Sequence, residues 1–435
     1  MSNGSIFHPD FKARPFWWEA YEPAAEELTE VPKEARVAII GGGYAGLAAA
    51  LQLAKDGVDA VVLEALQPGF GASTRNGGMV SGGVTVGKRY SGKDDSERLA
   101  QLLSAAADSF SLIERLIKDE GIDCEWTRTG RFAGAWCRAH YRTLAGKVDA
   151  LNRYAQAGAS MLERDRQREE IGSDYYHGGM VVERSAHLHP AKFFAGLYRA
   201  ALGRGAVVCA EAPVIRLGRN GSSFMVETAR GTIRAGDVIV ATNGYTGAVT
   251  PALRRRVIPV NSYIIATEEL PADLAISLMP RNKSIYDTRR LLTYYRMSGD
   301  RRRLIFGGRA SFRASDPVET APTLHRYMVD RFPQLAGSRI THAWTGNVAF
   351  TFDEVPHMGT MDGLHYALGC NGSGIAMMTY LGTETARKVT GRSNFRNAFD
   401  SDRFPDHWAY DGRPWFVPVM GEYLRARDWL DRRFN

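Results

Sequence analysis

Three glycines and one glutamate have the types and spacing that bind the phosphates and a ribose of a dinucleotide. Gly41, Gly43 and Gly46 form a G-x-G-x-x-G pattern that directly follows the apolar run 37–40 and precedes a Leu- and Ala-rich stretch. This order predicts a buried parallel strand, a glycine turn and a helix whose free N–H groups face a pyrophosphate. Glu64 ends the next apolar run, where a carboxylate accepts hydrogen bonds from ribose hydroxyls and repels a 2′-phosphate. The unit therefore predicts a dinucleotide other than NADP.

Two further glycine-rich segments suggest that the backbone approaches a ligand elsewhere. Residues 71–78 read Gly-Ala-Ser-Thr-Arg-Asn-Gly-Gly, which is too rich in glycine for regular secondary structure. The apolar run 364–368 enters the glycine loop 369–374, and a helix is expected from there to about residue 389. Elsewhere the patterns predict long helices at 94–120 and 141–170 and a helix opened by Pro190.

Composition places the chain among ordinary globular proteins. The 435 residues are 44% apolar and 24% charged, and no apolar run is long enough to predict a membrane span or a secretory signal. The four cysteines are scattered without a C-x-x-C pair, so we expect reduced thiols, no metal site and a cytoplasmic location. The net charge of +7 favours anionic ligands, and nucleic acid stays open at this point.

Together the motifs resemble the D-amino-acid oxidase superfamily of FAD-dependent amine oxidoreductases. Within it the sequence is most similar to the γ-glutamylputrescine-oxidase and sarcosine-oxidase-like group, from about residue 12 to the C-terminus. The segments that carry the resemblance, in order, are 41–46 with Glu64, 71–78, 241–245, 353–356 and 369–374.

The resemblance implies an α/β fold, with a Rossmann-type FAD-binding domain built from discontinuous segments and an α+β substrate domain on a mixed β-sheet. The boundaries that we predict are an aromatic arm at 1–33, the FAD-binding domain at 34–124, 185–256 and 335–395, the substrate or cap domain at 125–184 and 257–334, and a C-terminal tail at 396–435 that packs on the body.

The implied cofactor is FAD rather than NAD, and a second glycine loop about 330 residues downstream of the first is what a flavin lying across the domain requires. The helix that begins near Gly372 would direct its N–H groups at the flavin N1/C2=O edge, where reduced flavin carries negative charge. The predicted FAD contacts are Gly41, Gly43, Tyr44, Ala45, Gly46, Glu64, Ala72, Ser73, Thr74, Arg75, Asn76, Gly77, Gly78, Val214, Thr242, Asn243, Gly372, Ser373, Gly374 and Ile375.

Three positions depart from the pattern of the sarcosine-oxidase-like group. Gly346 stands where those enzymes carry a flavin-linking cysteine, so we expect FAD to bind non-covalently. Ile305 replaces a lysine that activates O₂, which puts rapid reaction with O₂ in doubt. Ser373 replaces a histidine common in the last glycine loop.

Substrate-facing residues are expected from the strands at 257–310. Tyr294 matches a substrate-site tyrosine of sarcosine oxidases, and Arg296 lies two residues on, on the same side of a strand. Arg309 follows two glycines and could reach the same cavity, and Tyr263 is a further candidate. These four residues are our predicted catalytic or substrate-binding set.

The predicted function is oxidation of a C–N bond in a primary or secondary amine that carries a carboxylate, such as a γ-glutamyl-amine or an N-alkyl amino acid. Hydride transfer to flavin N5 and hydrolysis of the imine complete the predicted reaction, with O₂ or a respiratory carrier as electron acceptor. The alternative is a dehydrogenase that feeds a quinone, as Ile305 suggests. A tRNA-modifying flavoprotein is a remote alternative, and no nucleic-acid partner is expected because arginines alternate with acidic residues, as at 163–170.

Overall fold

The computed structural model of the protein describes residues 5–24, 28–81, 96–392, 397–400 and 403–434. In these ranges the strands, numbered β1 to β19 in chain order, are Phe7–Lys12, Glu34–Ile40, Ala60–Leu63, Met79–Ser81, Arg131–Gly134, Ala159–Leu162, Gly179–Val182, Ser185–His187, Val207–Cys209, Val214–Asn220, Ser223–Thr228, Gly231–Val240, Ile258–Thr267, Ser284–Asp287, Thr293–Met297, Leu304–Gly308, Ile340–Phe350, His357–Met361 and Leu364–Leu368. The helices α1 to α10 are Tyr44–Lys55, Ser96–Asp119, Arg138–Ala145, Val148–Ala155, Pro190–Gly203, Pro251–Arg254, Ala272–Leu278, Pro317–Arg331, Gly374–Val389 and Val417–Phe434.

The first large sheet has the strand order β10-β11-β12-β2-β3-β9, with β19 beside β12 and β18 beside β19. Its central strands β19, β12, β2, β3 and β9 run parallel, as their continuous apolar sequences predict. Helix α1 packs closely on α9, and Gly382 permits the contact because a Cβ there would lie 2.1 Å from the carbonyl oxygen of Ala45. The carboxyl ends of β2, β3 and β12 consequently meet at one edge of the sheet, where open α/β sheets bind ligands.

The second large sheet is mixed and has the order β1-β17-β13-β16-β15-β14-β5-β7-β6. Strands β1 and β17 pair in parallel, as do β14 and β5, and the other neighbours are antiparallel. One face packs in an apolar cluster with α8 that includes Tyr263, Ile265 and Phe306. The opposite face carries a smaller cluster in which Ile264 and Ile305 meet tryptophans. These two sheets confirm the predicted fold class, a Rossmann-type domain of separated segments with a mixed-sheet domain.

The sheet that contains β17 corrects one of the predicted groupings. We placed 335–395 in the FAD-binding domain, but β17 pairs with β1 and β13 and so belongs to the second sheet. Strands β5, β6 and β7 join the same sheet, which is the grouping predicted for 125–184 with 257–334. The exact boundaries of the domains stay predictions. In the described ranges, none of the helices combines the length and the hydropathy that crossing a bilayer requires.

The structure confirms two of the predicted helices and contradicts a third. Helix α2 and helix α5 confirm the helices expected at 94–120 and after Pro190, except that 94 and 95 lie outside the described residues. The single helix expected at 141–170 is wrong. The chain instead forms α3 and α4, turns at Gln156 and Gly158, both of which have positive φ, and then enters β6. Strand β6 gains ladder hydrogen bonds from β7, which outweighs the helical preference of its residues.

A buried ion pair anchors α8 to the second sheet. One Asp287 oxygen accepts a hydrogen bond from Arg331 at 2.8 Å, and both side chains are fully buried. The other accepts from the Thr293 N–H at 3.1 Å. Burial alone would raise the pKa of Asp287, but Arg289 and Arg331 hold it below its usual value.

We expect Asp287→Asn to lower the free energy of unfolding by about 3–5 kcal/mol, because Arg331 would keep a buried charge without its partner. Urea denaturation at pH 7 measures this, and Asp10→Asn, at an exposed side chain, is the control. A carboxylate whose pKa is lower in the folded protein than in the unfolded chain stabilises the fold at pH values above its unfolded-state pKa. This stabilisation is lost as the pH falls through its folded-state pKa. The difference in the free energy of unfolding between parent and variant should therefore become smaller in acid. An unchanged urea midpoint at pH 7 would contradict a stabilising role for the Asp287–Arg331 ion pair.

Candidate active site

A cavity of about 640 Å³ opens at the carboxyl edge of the first sheet and extends to β17 of the second. It brings together most of the cofactor-binding residues predicted from separate motifs. Those that line it are Gly41, Gly43, Tyr44, Ala45, Glu64, Ala72, Ser73, Arg75, Asn76, Val214, Thr242, Asn243, Gly372 and Gly374.

The first glycine loop leaves no room for side chains where a diphosphate would lie. Gly41 has φ +104°, and Gly43 precedes the first residue of α1. A Cβ on Gly43 would come within 3.0 Å of the Ser73 hydroxyl, and one on Gly46 within 1.9 Å of the Gly41 carbonyl oxygen. Gly46 therefore lies behind the cavity wall, where it allows helix and strand to touch. The N-terminus of α1 faces the cavity, as anion binding requires.

Glu64 is held in place at the end of β3. Its two carboxylate oxygens accept hydrogen bonds from the N–H groups of Gly42, at 2.8 Å, and Leu66, at 3.0 Å. Each oxygen keeps a further lone pair for a hydroxyl donor. The fixed carboxylate beside the glycine loop fits the ribose of an adenosine.

The segment 69–78, which we call the flavin loop, forms one wall. Its 3₁₀ turn Ala72–Thr74 is closed by Asn76, whose amide donates to the carbonyl of Ser73 at 2.9 Å and whose oxygen accepts from the Gly78 N–H at 2.9 Å. The guanidinium of Arg75 donates to the Phe70 carbonyl at 2.7 Å, and burial lowers its pKa. The loop thus holds a cation at the cavity wall.

The third wall is the loop before α9. Gly372 has φ +89°, and the Asn243 side-chain oxygen accepts from the N–H groups of Gly369 and Cys370, at 3.0 and 3.3 Å. Asn243 thus joins two of the predicted motifs directly. Ser373 precedes the first residue of α9, whose N-terminus faces the cavity.

Some predicted contacts lie behind the wall. Thr74 is fully buried and donates to the Gly69 carbonyl, and Ile375 is buried in the core of the first sheet. Gly77 and Gly78 face the second sheet instead. Neither Thr74 nor Ile375 lines the cavity, and their contact with the cofactor stays a prediction.

Several lining residues were missed by the sequence analysis. Tyr245 ends the motif segment 241–245, so naming the whole segment as a contact would have included it. Residues 345–348 come from β17, and Gly346 in a strand interior was the available signal of close approach. A Cβ on Gly346 would lie 3.2 Å from that of Arg75. The remaining missed residues that we single out are Phe70, Cys370 and Met378.

Tyr294 and Arg309 lie close together beside the cavity. The Tyr294 hydroxyl hydrogen-bonds that of Ser262 at 2.9 Å, and its ring lies where a Cβ on Gly77 or Gly307 would be, 2.9 and 2.4 Å away. Burial raises the pKa of Tyr294 to about 12, against the opposing effects of Ser262 and Arg309.

Arg309 has few partners for a half-buried cation. Its guanidinium lies 4.6 Å above the Phe350 ring and makes one long hydrogen bond, 3.5 Å, to the Arg290 carbonyl. Among the described residues no carboxylate forms an ion pair with it, and burial lowers its pKa. A desolvated, weakly satisfied guanidinium is suited to bind an anion.

The other two substrate candidates are corrected. Arg296 is 1% exposed and donates to the carbonyls of Gly77 at 2.8 Å and Leu188 at 2.7 Å, so it supports the flavin loop instead of facing a ligand. Tyr263 lies on the opposite face of the second sheet, where its hydroxyl donates to the Arg313 carbonyl. Strand alternation separates Tyr263 from Ser262 and Ile264, which face the cavity side.

The comparisons agree with this geometry. Residues 36–388 match the family of FAD-dependent oxidoreductases abbreviated DAO. The chain belongs to this family, and it is an FAD-dependent oxidoreductase.

Similar proteins include the gamma-glutamylputrescine oxidoreductase of Escherichia coli strain K12, which is 34% identical over 91% of this chain and 93% of its own length. A probable oxidoreductase OrdL of Rhizobium meliloti is 32% identical over 87% and 88%. Among solved structures, glycine oxidase from Geobacillus kaustophilus superposes with a TM-score of 0.72 at 20% identity, over 87% of this chain and 99% of its own. The family match identifies FAD as the cofactor. The glycine cradle, Glu64 and Arg75 of the cavity fit this group.

We predict that Glu64→Gln weakens FAD binding. Loss of a charged acceptor for ribose hydroxyls should raise the dissociation constant for FAD about 10- to 100-fold. Quenching of FAD fluorescence on titration into apoprotein measures it, with the exposed Glu34→Gln as control. Equal affinities of the two variants would exclude Glu64 as the ribose partner.

Proposed function

We propose that the protein oxidises the C–N bond of an amine that carries a carboxylate. The observation that carries this proposal is the half-buried guanidinium of Arg309, which makes one long hydrogen bond, beside the hydroxyl pair of Tyr294 and Ser262. When bound, FAD accepts the hydride from the carbon beside the nitrogen, and water hydrolyses the resulting imine to a carbonyl compound and the shortened amine.

The hydroxyl pair is connected to the cofactor cavity through β17. Ser262 is the register partner of Gly346, and its carbonyl accepts a hydrogen bond from the Thr345 hydroxyl at 3.0 Å. Thr345 and Gly346 both line the cavity. An amine bound between Arg309 and β17 would therefore lie next to the cofactor cavity, which supports placing the substrate there.

In this proposal each residue has one role. Arg309 binds the substrate carboxylate with paired N–H donors, which fixes the orientation of the amine. Tyr294, whose pKa is about 12, keeps its proton throughout the neutral range and so acts as a hydrogen-bond donor and not as a base. The substrate nitrogen must then lose its own proton to water before oxidation.

Relatives give the substrate panel its members. The similar proteins named above include a gamma-glutamylputrescine oxidoreductase and a glycine oxidase, which supports amines and amino acids as the class. Anaerobic mixing of the holoenzyme with γ-glutamylated amines, N-alkyl amino acids, glycine, D-amino acids and polyamines should bleach the flavin absorbance with one class only. No bleaching by any member, with FAD bound, would refute the amine proposal.

Arg309→Met should raise the dissociation constant of the bleaching substrate about 10- to 100-fold, because the carboxylate loses its charged partner. The dissociation constant of the Arg309→Lys variant should lie between those of the parent and of Arg309→Met, since lysine keeps the charge and loses the paired N–H donors of the guanidinium. The exposed Arg313→Met on the same loop is the matched control. Bleaching by the Arg309→Met variant with the parent's dissociation constant would remove Arg309 from substrate binding.

A quinone-linked dehydrogenase is favoured as the second candidate by the surroundings of Ile305. This residue is 2% exposed in an apolar cluster with Trp17, Trp344 and Ile264, so no cation stands at the position that activates O₂ in sarcosine oxidases. We expect O₂ to reoxidise the reduced enzyme no faster than it reoxidises free reduced flavin, and a soluble quinone to do so faster. Stopped-flow mixing measures both rates, and rapid reoxidation by O₂ would exclude the dehydrogenase.

A further inference from the structure

Three indole N–H groups converge on three consecutive residues of the flavin loop. Trp17 donates to the carbonyl of Asn76 at 2.8 Å, and Trp18 donates to the hydroxyl of Thr74 at 2.9 Å. Trp344, from β17, donates to the carbonyl of Arg75 at 2.8 Å. Each bond satisfies an acceptor that the loop itself leaves available, so the conformation of residues 74–76 depends on side chains from outside the loop.

The side chain of Arg75 is also held from outside. Its guanidinium carbon lies 4.6 Å from the ring centre of Trp18 and 4.6 Å from that of Phe70. These cation–π contacts join the bond to the Phe70 carbonyl in fixing the cation at the cavity wall. Trp18 therefore contacts both the Thr74 side chain in the turn and the guanidinium of Arg75.

The arm that supplies Trp17 and Trp18 is itself anchored. β1 pairs with β17, and Trp17 is fully buried. Glu19 is the last residue of the 3₁₀ turn Phe16–Glu19. Its carboxylate accepts a hydrogen bond from Lys12 at 2.7 Å, and His342 lies within 3.2 Å of it. The Lys12 bond and its neighbours lower the pKa of Glu19 to about 2, so the ion pair persists through the neutral range.

We propose that the N-terminal arm is a functional part of the cofactor site: Trp17 and Trp18 position the flavin loop, and Trp18 holds the positive charge of Arg75 beside the flavin. Both tryptophans lie outside residues 36–388, the part of the chain that matches the family. They are positioning residues, because they act through Asn76, Thr74 and Arg75. The proposal depends on FAD binding and not on the amine reaction, so failure of one leaves the other standing.

Conservative variants separate the two roles. Trp17→Phe and Trp18→Phe keep an aromatic ring and remove the N–H donor, so the loop should be less ordered before FAD binds. We expect the dissociation constant for FAD to rise about 5- to 10-fold in each. Trp408→Phe, at a side chain that is 93% exposed, is the matched control and should bind FAD as the parent does.

The charge-holding role has its own readout. Trp18→Leu removes the ring face from Arg75, so the reduction potential of the bound flavin should become more negative, because reduced flavin loses a nearby stabilising cation. Trp18→Phe keeps a ring face and should leave the potential close to that of the parent. Equal shifts in Trp18→Leu and Trp18→Phe would refute the role of the ring face.

Hydrogen exchange of the apoprotein keeps the test independent of cofactor affinity. Amides of residues 69–78 should exchange faster in Trp17→Phe and Trp18→Phe than in Trp408→Phe, while the amides of α9 exchange equally in all three. If Trp17→Phe does not fold, Trp18→Phe at the edge of the cluster carries the same measurements. Parental FAD affinity and parental exchange in Trp18→Phe would overturn the proposal.

Discussion

Helix α1 can present its N-terminus to a diphosphate only because backbone meets backbone where the helix leaves β2. A single Cβ at Gly46 would lie 1.9 Å from the Gly41 carbonyl oxygen, which would force the helix away from the sheet. The same close approach recurs where Gly382 of α9 meets Ala45, so glycines allow α1 to lie close to both the sheet and α9. Every other wall of the cavity is arranged around the position that this contact fixes.

One face of the second sheet packs against α8, and the other face lies on the side of the cofactor cavity. Tyr295 and Phe306 face α8 and the buried Asp287–Arg331 pair, where rings stack and charges are satisfied. Residues one step along, such as Tyr294 and Ile305, face the cofactor side. Because successive side chains of a strand point to opposite faces of the sheet, tight packing against α8 on one face also fixes the positions of the side chains on the cofactor face.

Most residues predicted to contact the cofactor lie around one cavity, and they could be picked out because their sequence signals are local. Glycine spacing, a strand end and an acidic residue fix the phosphate and ribose contacts within 31 residues, as 34–64 illustrate. Long-range placement was less accessible. Arg296 was assigned to the substrate from strand alternation, and it does face the flavin loop, but main-chain carbonyls of Gly77 and Leu188 take up its donors. The placement of Tyr263 near the substrate was wrong because a shift of one residue along a strand moves a side chain to the other face of the sheet.

The helix expected at 141–170 failed for the same kind of reason. Residues 159–162 become a strand only through pairing with β7, a partner that no local pattern shows. The sequence predicted an arm rich in aromatic residues, and of its tryptophans Trp17 is fully buried. Which residues they would support could not be derived, since Asn76 is 59 positions away from Trp17.

The order in which the cavity walls occur along the chain has a consequence for biosynthesis. Residues 34–64 carry the glycine turn and the ribose carboxylate, but the strands that flank this unit in the sheet, β9 and β12, come later in the chain. The complete cavity also requires β17, which pairs with β1, and the loop before α9 together with Met378 of that helix. The complete cavity can therefore form only after α9 has been synthesised, and β1 can pair only after β17 has been made.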